Sequence, residues 1–226
     1  MEVNHFFSSP VFILLDKTFD EHIEQLLEEV YAWRETEVAQ GNLLVRSNQG
    51  GWHSDVKIFD RKEPGISRLC KLVLNSVNKC TKSIAPAFTL EDKAMQGEGW
   101  VNINGIHDYN VPHDHPGYTW SVVYYAKVPE KKQNSRSGSI EFLDPRTSVA
   151  AFAPDLAKST EYFSPKKTLS PKDGMLLVFP SYLRHWVYPN ETDGDRITFA
   201  FNVKYIPKPN TNKQSQAKDE SERNKD

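Results

Sequence analysis

The sequence contains little cysteine: Cys70 and Cys80 are the only two among its 226 residues. Both lie in the stretch ISRLCKLVLNSVNKCTKSI, whose apolar spacing predicts a helix. Their separation along a helix would be about 15 Å, well beyond the roughly 4.4–6.8 Å between Cα atoms that a disulfide allows. We therefore expect two free thiols, which argues against a disulfide-bonded secreted scaffold and for a reducing compartment.

Long hydrophobic runs and an excess of one charge are also missing. No run approaches the roughly 18–20 apolar residues of a membrane span, and the opening MEVNHFFSSPVFILLDKTF lacks the basic start of a secretory signal. The formal net charge of -2 at pH 7 gives no basic field for nucleic acid or an anionic membrane. We expect a cytoplasmic protein with neither nucleic acid nor membrane as a partner.

Two helices are predicted in the first part of the chain. The segment FDEHIEQLLEEVYAWRETEV has the three-and-four apolar spacing of an amphipathic helix, and a second helix covers roughly residues 65–83. Between them, VRSNQGGWHSDVKIFD reads as a loop that leads into a short strand.

Five strand-like segments follow from about residue 99: GWVNINGI, YTWSVVYYAKV, GSIEFLDP, GMLLVFPSYLRHWVYP and RITFAFNVKYI. Helices first and strands afterwards predict an α+β fold, with a β-sandwich or jelly roll braced by the helices. We expect one domain over residues 1–206, with residues 1–98 as mainly helical support and 99–206 as the core. Residues 145–170 read as an irregular excursion, and the polar residues 207–226 as a disordered tail.

The segment VPHDHPG contains the clearest candidate for a metal site. On a strand, His113 and His115 would point to the same face, so both imidazoles could reach one ion. His185, in FPSYLRHWVYP, is the only histidine further along the chain and is the candidate third ligand. Three ligands on one side of a metal leave positions open, which is the arrangement that iron-dependent oxygen activation uses.

Arg196 begins the last predicted strand, RITFAFNV. A guanidinium that enters an otherwise apolar interior is costly unless an anion pairs with it. A dicarboxylate cosubstrate would supply that anion, whereas a simple ion pair with Asp193 or Asp195 is the structural alternative.

The segments WVNINGIHDYNVPHDHPGYTWSVVYYAKVP, GSIEFLDP and PKDGMLLVFPSYLRHWVYPNETDGDRITFAFNV together resemble the iron(II) and 2-oxoglutarate-dependent oxygenases, in particular the small branch found in bacteria and their phages. With the upstream RSNQGGWHS, the resemblance covers roughly residues 46–205. It implies a prolyl hydroxylase-like double-stranded β-helix, or jelly roll, with N-terminal supporting helices. It also implies Fe(II) and 2-oxoglutarate as cofactors, and hydroxylation coupled to conversion of 2-oxoglutarate to succinate and CO2.

The resemblance assigns roles to individual residues. His113 and His185 correspond to the first and the distal metal ligands, and Arg196 to the arginine that binds the C5 carboxylate of 2-oxoglutarate. Tyr125 matches a position that hydrogen-bonds 2-oxoglutarate in prolyl hydroxylase-like members. Asn104 is a further candidate for this cofactor pocket.

The resemblance departs from the superfamily pattern at one ligand. The general pattern is His-x-Asp or His-x-Glu, and this chain has His115 at the second position, as the small branch does. Asp114 is the alternative acid. Two other functions therefore stay open: a non-catalytic jelly-roll binding or structural module, and a three-histidine cupin-like dioxygenase that does not use 2-oxoglutarate.

The substrate is the least defined partner. Trp52, Trp120 and Trp186 are candidates for lining the substrate mouth, although tryptophan in strands usually serves packing. The prolyl hydroxylase-like resemblance makes a protein or peptide side chain a candidate substrate. Strand edges of jelly rolls often pair, so a homodimer is also left open.

Overall fold

The computed structural model describes residues 2, 7–15, 17–42, 44–146 and 154–208. Its helices are α1 (Ile23–Ala39), α2 (Pro64–Ile84) and α3 (Pro154–Ser159). Its strands are β1 (Phe12–Leu15), β2 (Asn48–Gln49), β3 (Trp52–His53), β4 (Lys93–Asn104), β5 (Tyr109–His113), β6 (Trp120–Lys127), β7 (Ile140–Leu143), β8 (Lys166–Leu169), β9 (Met175–Pro180), β10 (His185–Val187) and β11 (Arg196–Pro207).

The strands form two sheets in which all neighbouring strands are antiparallel. One has six strands in the order β1-β9-β6-β11-β4-β3, and the other has five in the order β2-β5-β10-β7-β8. The centre of the six-stranded sheet is β11, which pairs with β4 from Arg196↔Asn104 to Pro207↔Lys93. The fold is thus made mostly of antiparallel sheets with two long helices.

Helices α1 and α2 cover one face of the six-stranded sheet, as the apolar periodicity predicts. Leu26 and Val30 of α1 pack with Val73 of α2, and with the sheet residues Val101 and Phe199. The start of α2 is fixed by Glu29, whose carboxylate oxygens accept hydrogen bonds from the Gly65 and Ile66 amides, both at 2.9 Å. These contacts satisfy two of the amides that a helix N-terminus leaves without intrahelical partners.

The opposite face of the six-stranded sheet turns toward the second sheet. One part of this interface is apolar and contains Tyr125, Ile140, Phe142, Met175, Leu177, Phe179 and Leu183. Another part is polar because alternate residues of β11, namely Arg196, Thr198 and Asn202, are buried on this face. Buried polar groups need partners or a function, so this part of the interface is where a site is expected.

Several sequence predictions can be compared directly with this structure. The two helices are confirmed, and Cys70 and Cys80 are buried free thiols. The short strand expected within VRSNQGGWHSDVKIFD corresponds to β3, whereas β1 and β2, which are only four and two residues long, are not predicted. The 145–170 excursion contains α3 and β8, while its residues 147–153 and the predicted tail beyond Lys208 lie outside the described residues.

Within the described residues, no helix is long and apolar enough to cross a membrane.

Candidate metal and cosubstrate site

The three predicted histidine ligands lie together between the sheets. His113 is the last residue of β5 and His185 the first of β10, and the two face each other directly in the antiparallel register. His115 lies two residues beyond the end of β5, where its amide donates to the Ser181 carbonyl at 2.9 Å. Candidate ligand nitrogens of all three residues lie within 4.8 Å of one another. The turn after β5, rather than strand alternation alone, therefore brings His115 to this cluster.

Backbone contacts orient two of these rings. His113 Nδ1 is 2.6 Å from the Val111 carbonyl oxygen, and His185 Nδ1 is 2.9 Å from that of Leu183. A carbonyl only accepts, so each Nδ1 carries the proton and each Nε2 keeps a free lone pair. This is the backbone-oriented arrangement that metal-ligating histidines commonly have.

Burial keeps the histidines neutral. Loss of solvation lowers the pKa of His185 to about 3, and neighbouring histidines add to the effect. Burial likewise lowers the pKa of His115 to about 4, and it also lowers that of His113. At neutral pH all three imidazoles are thus in the unprotonated form that binds metal.

No carboxylate joins this cluster among the residues that the structure describes. Asp114, the alternative acid, is exposed to solvent. The donor set is therefore three neutral nitrogens, a set that suits iron and other imidazole-binding divalent metals and contributes no negative charge.

Arg196 is buried without an acidic partner. Its side chain is only 2% exposed, and its contacts are neutral: Nε donates to the Gly138 carbonyl at 3.1 Å and Nη1 to Asn104 Oδ1 at 3.3 Å. Within the described part of the chain no salt bridge reaches it, and Asp195 instead accepts a hydrogen bond from Tyr31 at 2.8 Å. Burial lowers the pKa of the Arg196 guanidinium. An arginine stays protonated nonetheless, so this site holds a buried positive charge.

Tyr125 completes an anion-binding arrangement. The Arg196 guanidinium carbon lies 5.2 Å from the centre of the Tyr125 ring, and the tyrosine is fully buried. Its hydroxyl makes no hydrogen bond of ordinary geometry among the described residues. Burial raises its pKa to about 12, although the interaction with the Arg196 guanidinium acts in the opposite direction. A buried cation without an acidic partner, beside a buried hydroxyl with no acceptor, fits a carboxylate, which accepts several hydrogen bonds and carries the opposite charge.

One cavity connects the histidines to this arginine. Its lining includes His113, His115, His185, Tyr125 and Arg196. Asn102 and Trp100 also line it, and Trp100 packs its ring 5.7 Å from that of His115. Asn102 is only 6% exposed, and its side-chain oxygen Oδ1 has no hydrogen-bond partner among the described residues. A ligand with a hydrogen-bond donor would satisfy this amide.

Two of the tryptophans predicted at the substrate mouth have the contacts of core residues. Trp52 is 6% exposed and packs edge-on against Trp33, and Trp120 donates from Nε1 to Thr81 Oγ1 at 2.9 Å. Trp186 is only partly buried and donates to Glu141 Oε1 at 3.0 Å. None of the three lines the cavity described above.

Sequence reasoning missed three residues of the site. Trp100 and Asn102 share a strand face with the predicted Asn104, so alternation along WVNIN contains the signal for both. Gly138, which contacts Arg196, has no such signal, because a glycine between two serines is typical of any turn.

The site residues fall inside a match to a known family. The model of the family described as "Putative 2OG-Fe(II) oxygenase" matches residues 98–202, slightly less than half of the chain. That range includes all three histidines, Tyr125 and Arg196. Among curated proteins, no sequence match was found.

Solved structures share the fold at low sequence identity. The prolyl hydroxylase of Trichoplax adhaerens, in complex with a hypoxia inducible factor oxygen degradation domain peptide, has a TM-score of 0.57 at 15% identity, covering 86% of this chain and 83% of that one. HygX from Streptomyces hygroscopicus, with nickel and 2-oxoglutarate bound, has a TM-score of 0.53 at 13% identity, covering 87% and 82%. The non-heme alpha ketoglutarate dependent epimerase SnoN from nogalamycin biosynthesis has a TM-score of 0.55 at 14% identity, covering 89% and 79%.

The family match, the common fold and the clustered histidines lead to one conclusion. Residues 98–202, which contain the candidate site, are similar to the 2OG-Fe(II) oxygenase family, most of the chain shares the fold of such enzymes, and His113, His115 and His185 could bind a metal.

Proposed function

We propose that this protein is an Fe(II)- and 2-oxoglutarate-dependent dioxygenase that hydroxylates its substrate. His113, His115 and His185 would hold the iron, and Arg196 and Tyr125 would bind the distal carboxylate of 2-oxoglutarate. We also infer that the two facing sheets form a double-stranded β-helix within a single oxygenase domain of residues 1–206. The observation that carries the proposal is that a buried arginine with only neutral hydrogen-bond partners and the buried Tyr125 hydroxyl share one cavity with the three histidines.

Charge balance favours 2-oxoglutarate as the cosubstrate of this particular site. Three neutral imidazoles leave the two positive charges of Fe(II) uncompensated, and Arg196 adds a third in the same buried cavity. An isolated buried charge is strongly unfavourable. A dicarboxylate brings two negative charges, one for each end of the cavity, and therefore suits a three-histidine site better than a neutral ligand.

The surrounding residues would orient the cofactors and exclude water. The Phe179 ring lies 4.9 Å from that of His185, and the Phe142 ring lies 6.0 Å from it. These aromatic walls hold the distal ligand in a dry environment, which strengthens electrostatic contacts in the cavity. When bound, iron and 2-oxoglutarate supply the oxidative chemistry, with 2-oxoglutarate leaving as succinate and CO2.

Hydroxylation and a peptide substrate are the finer parts of the proposal. One structurally similar protein is a prolyl hydroxylase in complex with a peptide, and another is an epimerase. The peptide complex, together with the prolyl hydroxylase-like motifs of this sequence, makes a peptide or protein side chain the first substrate class to test.

Anaerobic titration of the apoprotein with Fe(II) and then 2-oxoglutarate tests the function. We expect a visible metal-to-ligand charge-transfer band that His185→Ala abolishes and that Arg196→Ala shifts to much higher 2-oxoglutarate concentrations. Arg68→Ala, which removes an exposed arginine from α2, should behave like the wild type.

The other possible outcomes distinguish the alternatives. Iron binding without the band at any 2-oxoglutarate concentration would instead support a three-histidine dioxygenase. Absence of iron binding would indicate a binding or structural module that keeps the fold without the chemistry.

A further inference from the structure

Arg196, which lines the cavity, contacts the backbone of Gly138. Gly138 precedes β7 and contacts the arginine by accepting a hydrogen bond from Nε at 3.1 Å. A methyl group added to Gly138 would lie 2.9 Å from Arg196 Cδ and 3.2 Å from Nε. The arginine side chain thus occupies the space that any other residue at position 138 would need.

The backbone at Gly138 also requires glycine. Its φ is +62°, in the left-handed region that side-chain-bearing residues rarely adopt. Two independent features, the conformation and the close approach, therefore favour glycine at this position.

The turn around Gly138 is held in place by its own contacts. The Gly138 amide donates to the Pro189 carbonyl at 3.2 Å, and the Ser139 amide donates to that of Arg136 at 2.9 Å. Lys131 Nζ donates to the Ser137 carbonyl and to Ser139 Oγ, at 3.1 and 3.0 Å. Because the turn is fixed, the arginine is the group that would move if a side chain were introduced.

The direction of that movement is limited. The Arg196 guanidinium carbon lies 5.2 Å from the centre of the Tyr125 ring, and the cavity that both residues line is the open space beside the arginine. With 2% exposure, the guanidinium has no route to solvent. A side chain at position 138 would therefore displace the guanidinium toward Tyr125 and the cavity, which would shorten the space between Arg196 and the histidines.

We propose that Gly138 is a positioning residue that fixes the reach of Arg196 and thereby selects the chain length of the dicarboxylate cosubstrate. The inference rests on the proposed function, since it assumes that Arg196 binds a carboxylate. It extends that function to a residue that touches neither metal nor cosubstrate and that acts through the arginine.

The test compares two 2-oxo dicarboxylates that differ by one methylene. Ni(II)-loaded protein is titrated with 2-oxoglutarate and with oxaloacetate by calorimetry, so that no turnover is needed. In Gly138→Ala we expect the Kd for 2-oxoglutarate to rise tenfold or more, and the Kd for oxaloacetate to rise less than threefold. The affinity for Ni(II) itself should stay within twofold of the wild type.

Gly41→Ala is the matched control. Gly41 also has a positive φ, +73°, but a methyl group there would meet no atom within 4 Å. This variant introduces the same kind of backbone strain without touching the site, so both dicarboxylates should bind as they do to the wild type. If Gly138→Ala fails to fold, Gly138→Asn replaces it, because asparagine tolerates the left-handed region.

The failures of the two proposals differ. Wild-type protein that binds Ni(II) but no 2-oxoglutarate overturns the proposed function and this inference with it. Wild-type binding, combined with equal losses for the two dicarboxylates or with a Gly138→Ala variant that behaves like Gly41→Ala, overturns the role of Gly138 alone.

Discussion

His113 and His185 face each other across an antiparallel strand pair, and their ring centres are 4.4 Å apart. The pairing register of β5 and β10 therefore determines the distance between these two ligands. His115 depends on a different element, the turn after β5, and its ring centre is 4.9 Å from that of His113. Two of the three candidate ligands are thus held by a strand pair and the third by a turn.

This difference predicts how the ligands respond to substitution. His185→Ala should lower the affinity for Fe(II) or Ni(II) at least 100-fold, because loss of groups that merely support a ligand commonly costs 10–100-fold. His115→Asp should retain metal within about tenfold of the wild type, since aspartate also ligates divalent metals and the turn can adjust. Calorimetric metal titration measures both effects.

The control for these variants is His107→Asn. His107 is exposed and has a φ of +68°, which asparagine tolerates. Unchanged metal affinity in this control, together with unchanged affinity in His185→Ala, would show that the histidine cluster does not bind metal.

The buried hydroxyl of Tyr125 predicts opposite effects on stability and binding. Tyr125→Phe removes a buried group that makes no hydrogen bond of ordinary geometry, so the metal-free protein should keep its free energy of unfolding or gain up to about 1 kcal/mol. The same variant should weaken 2-oxoglutarate binding about 10- to 150-fold, because a hydrogen bond to a charged group contributes roughly 1.5–3 kcal/mol.

Urea unfolding and 2-oxoglutarate titration of the Ni(II)-loaded protein measure the two effects of Tyr125→Phe. Tyr162→Phe, which changes an exposed tyrosine in the same way, is the comparison for nonspecific effects. A clear loss of stability in Tyr125→Phe with unaltered 2-oxoglutarate binding would mean that the hydroxyl serves the fold instead of the cosubstrate.

The helices and the main strands were predictable because their signals are local. The apolar residues of α2 follow a regular helical spacing. Along strands such as β11, polar and apolar side chains alternate, and both faces of the strand are buried. The strand β1 was not predictable in this way: its four residues pair with β9, which lies more than 150 residues further along the chain. A short segment of this kind becomes a strand through tertiary pairing rather than through its own propensity.

Some residues of the candidate site were likewise predictable from local sequence signals, and others were not. His113, His185 and Arg196 are prominent in the sequence because polar residues of these types interrupt strand patterns. Gly138 and the turn that carries His115 depend on three-dimensional proximity, and no spacing rule connects Gly138 to Arg196. Trp52 and Trp120 are also conspicuous in the sequence, and in the structure both pack into the core.

The buried thiols of α2 predict low reactivity in the folded protein. Burial raises the pKa of Cys70 to about 12 and also raises that of Cys80. Since the thiolate is the reactive form, a thiol-specific colorimetric reagent at pH 8 should label neither residue in the native protein and both in urea. Lys71→Cys, which places a thiol on an exposed position of the same helix, should react at once. Rapid native labelling of Cys70 or Cys80 would show that α2 opens readily.

The buried carboxylate of Glu141, which lies near the candidate site, should make the free energy of unfolding depend on pH. This carboxylate is 2% exposed and accepts hydrogen bonds from Trp186, Tyr188, Thr168 and Lys166 at 2.8–3.1 Å. Burial acts to raise its pKa, but the four hydrogen bonds outweigh burial, so the pKa of the folded state lies below the ordinary value of 4.5. The unfolded state therefore binds the proton more readily, and this contribution to stability is present above about pH 4.5 and is lost as the pH falls through the folded-state pKa.

Glu141→Gln tests this dependence. At pH 7 the variant should lose about 1–3 kcal/mol of unfolding free energy, because it replaces a charged acceptor of several buried donors by a neutral amide. The difference from the wild type should shrink when urea unfolding is repeated at successively lower pH values below 4.5, toward the folded-state pKa of the carboxyl. Glu24→Gln, an exposed change on α1, should alter stability by less than about 0.5 kcal/mol at any of these pH values. A Glu141→Gln deficit of equal size at all of these pH values would mean that side-chain geometry, and not the negative charge, holds β7, β8 and β10 together beside His185.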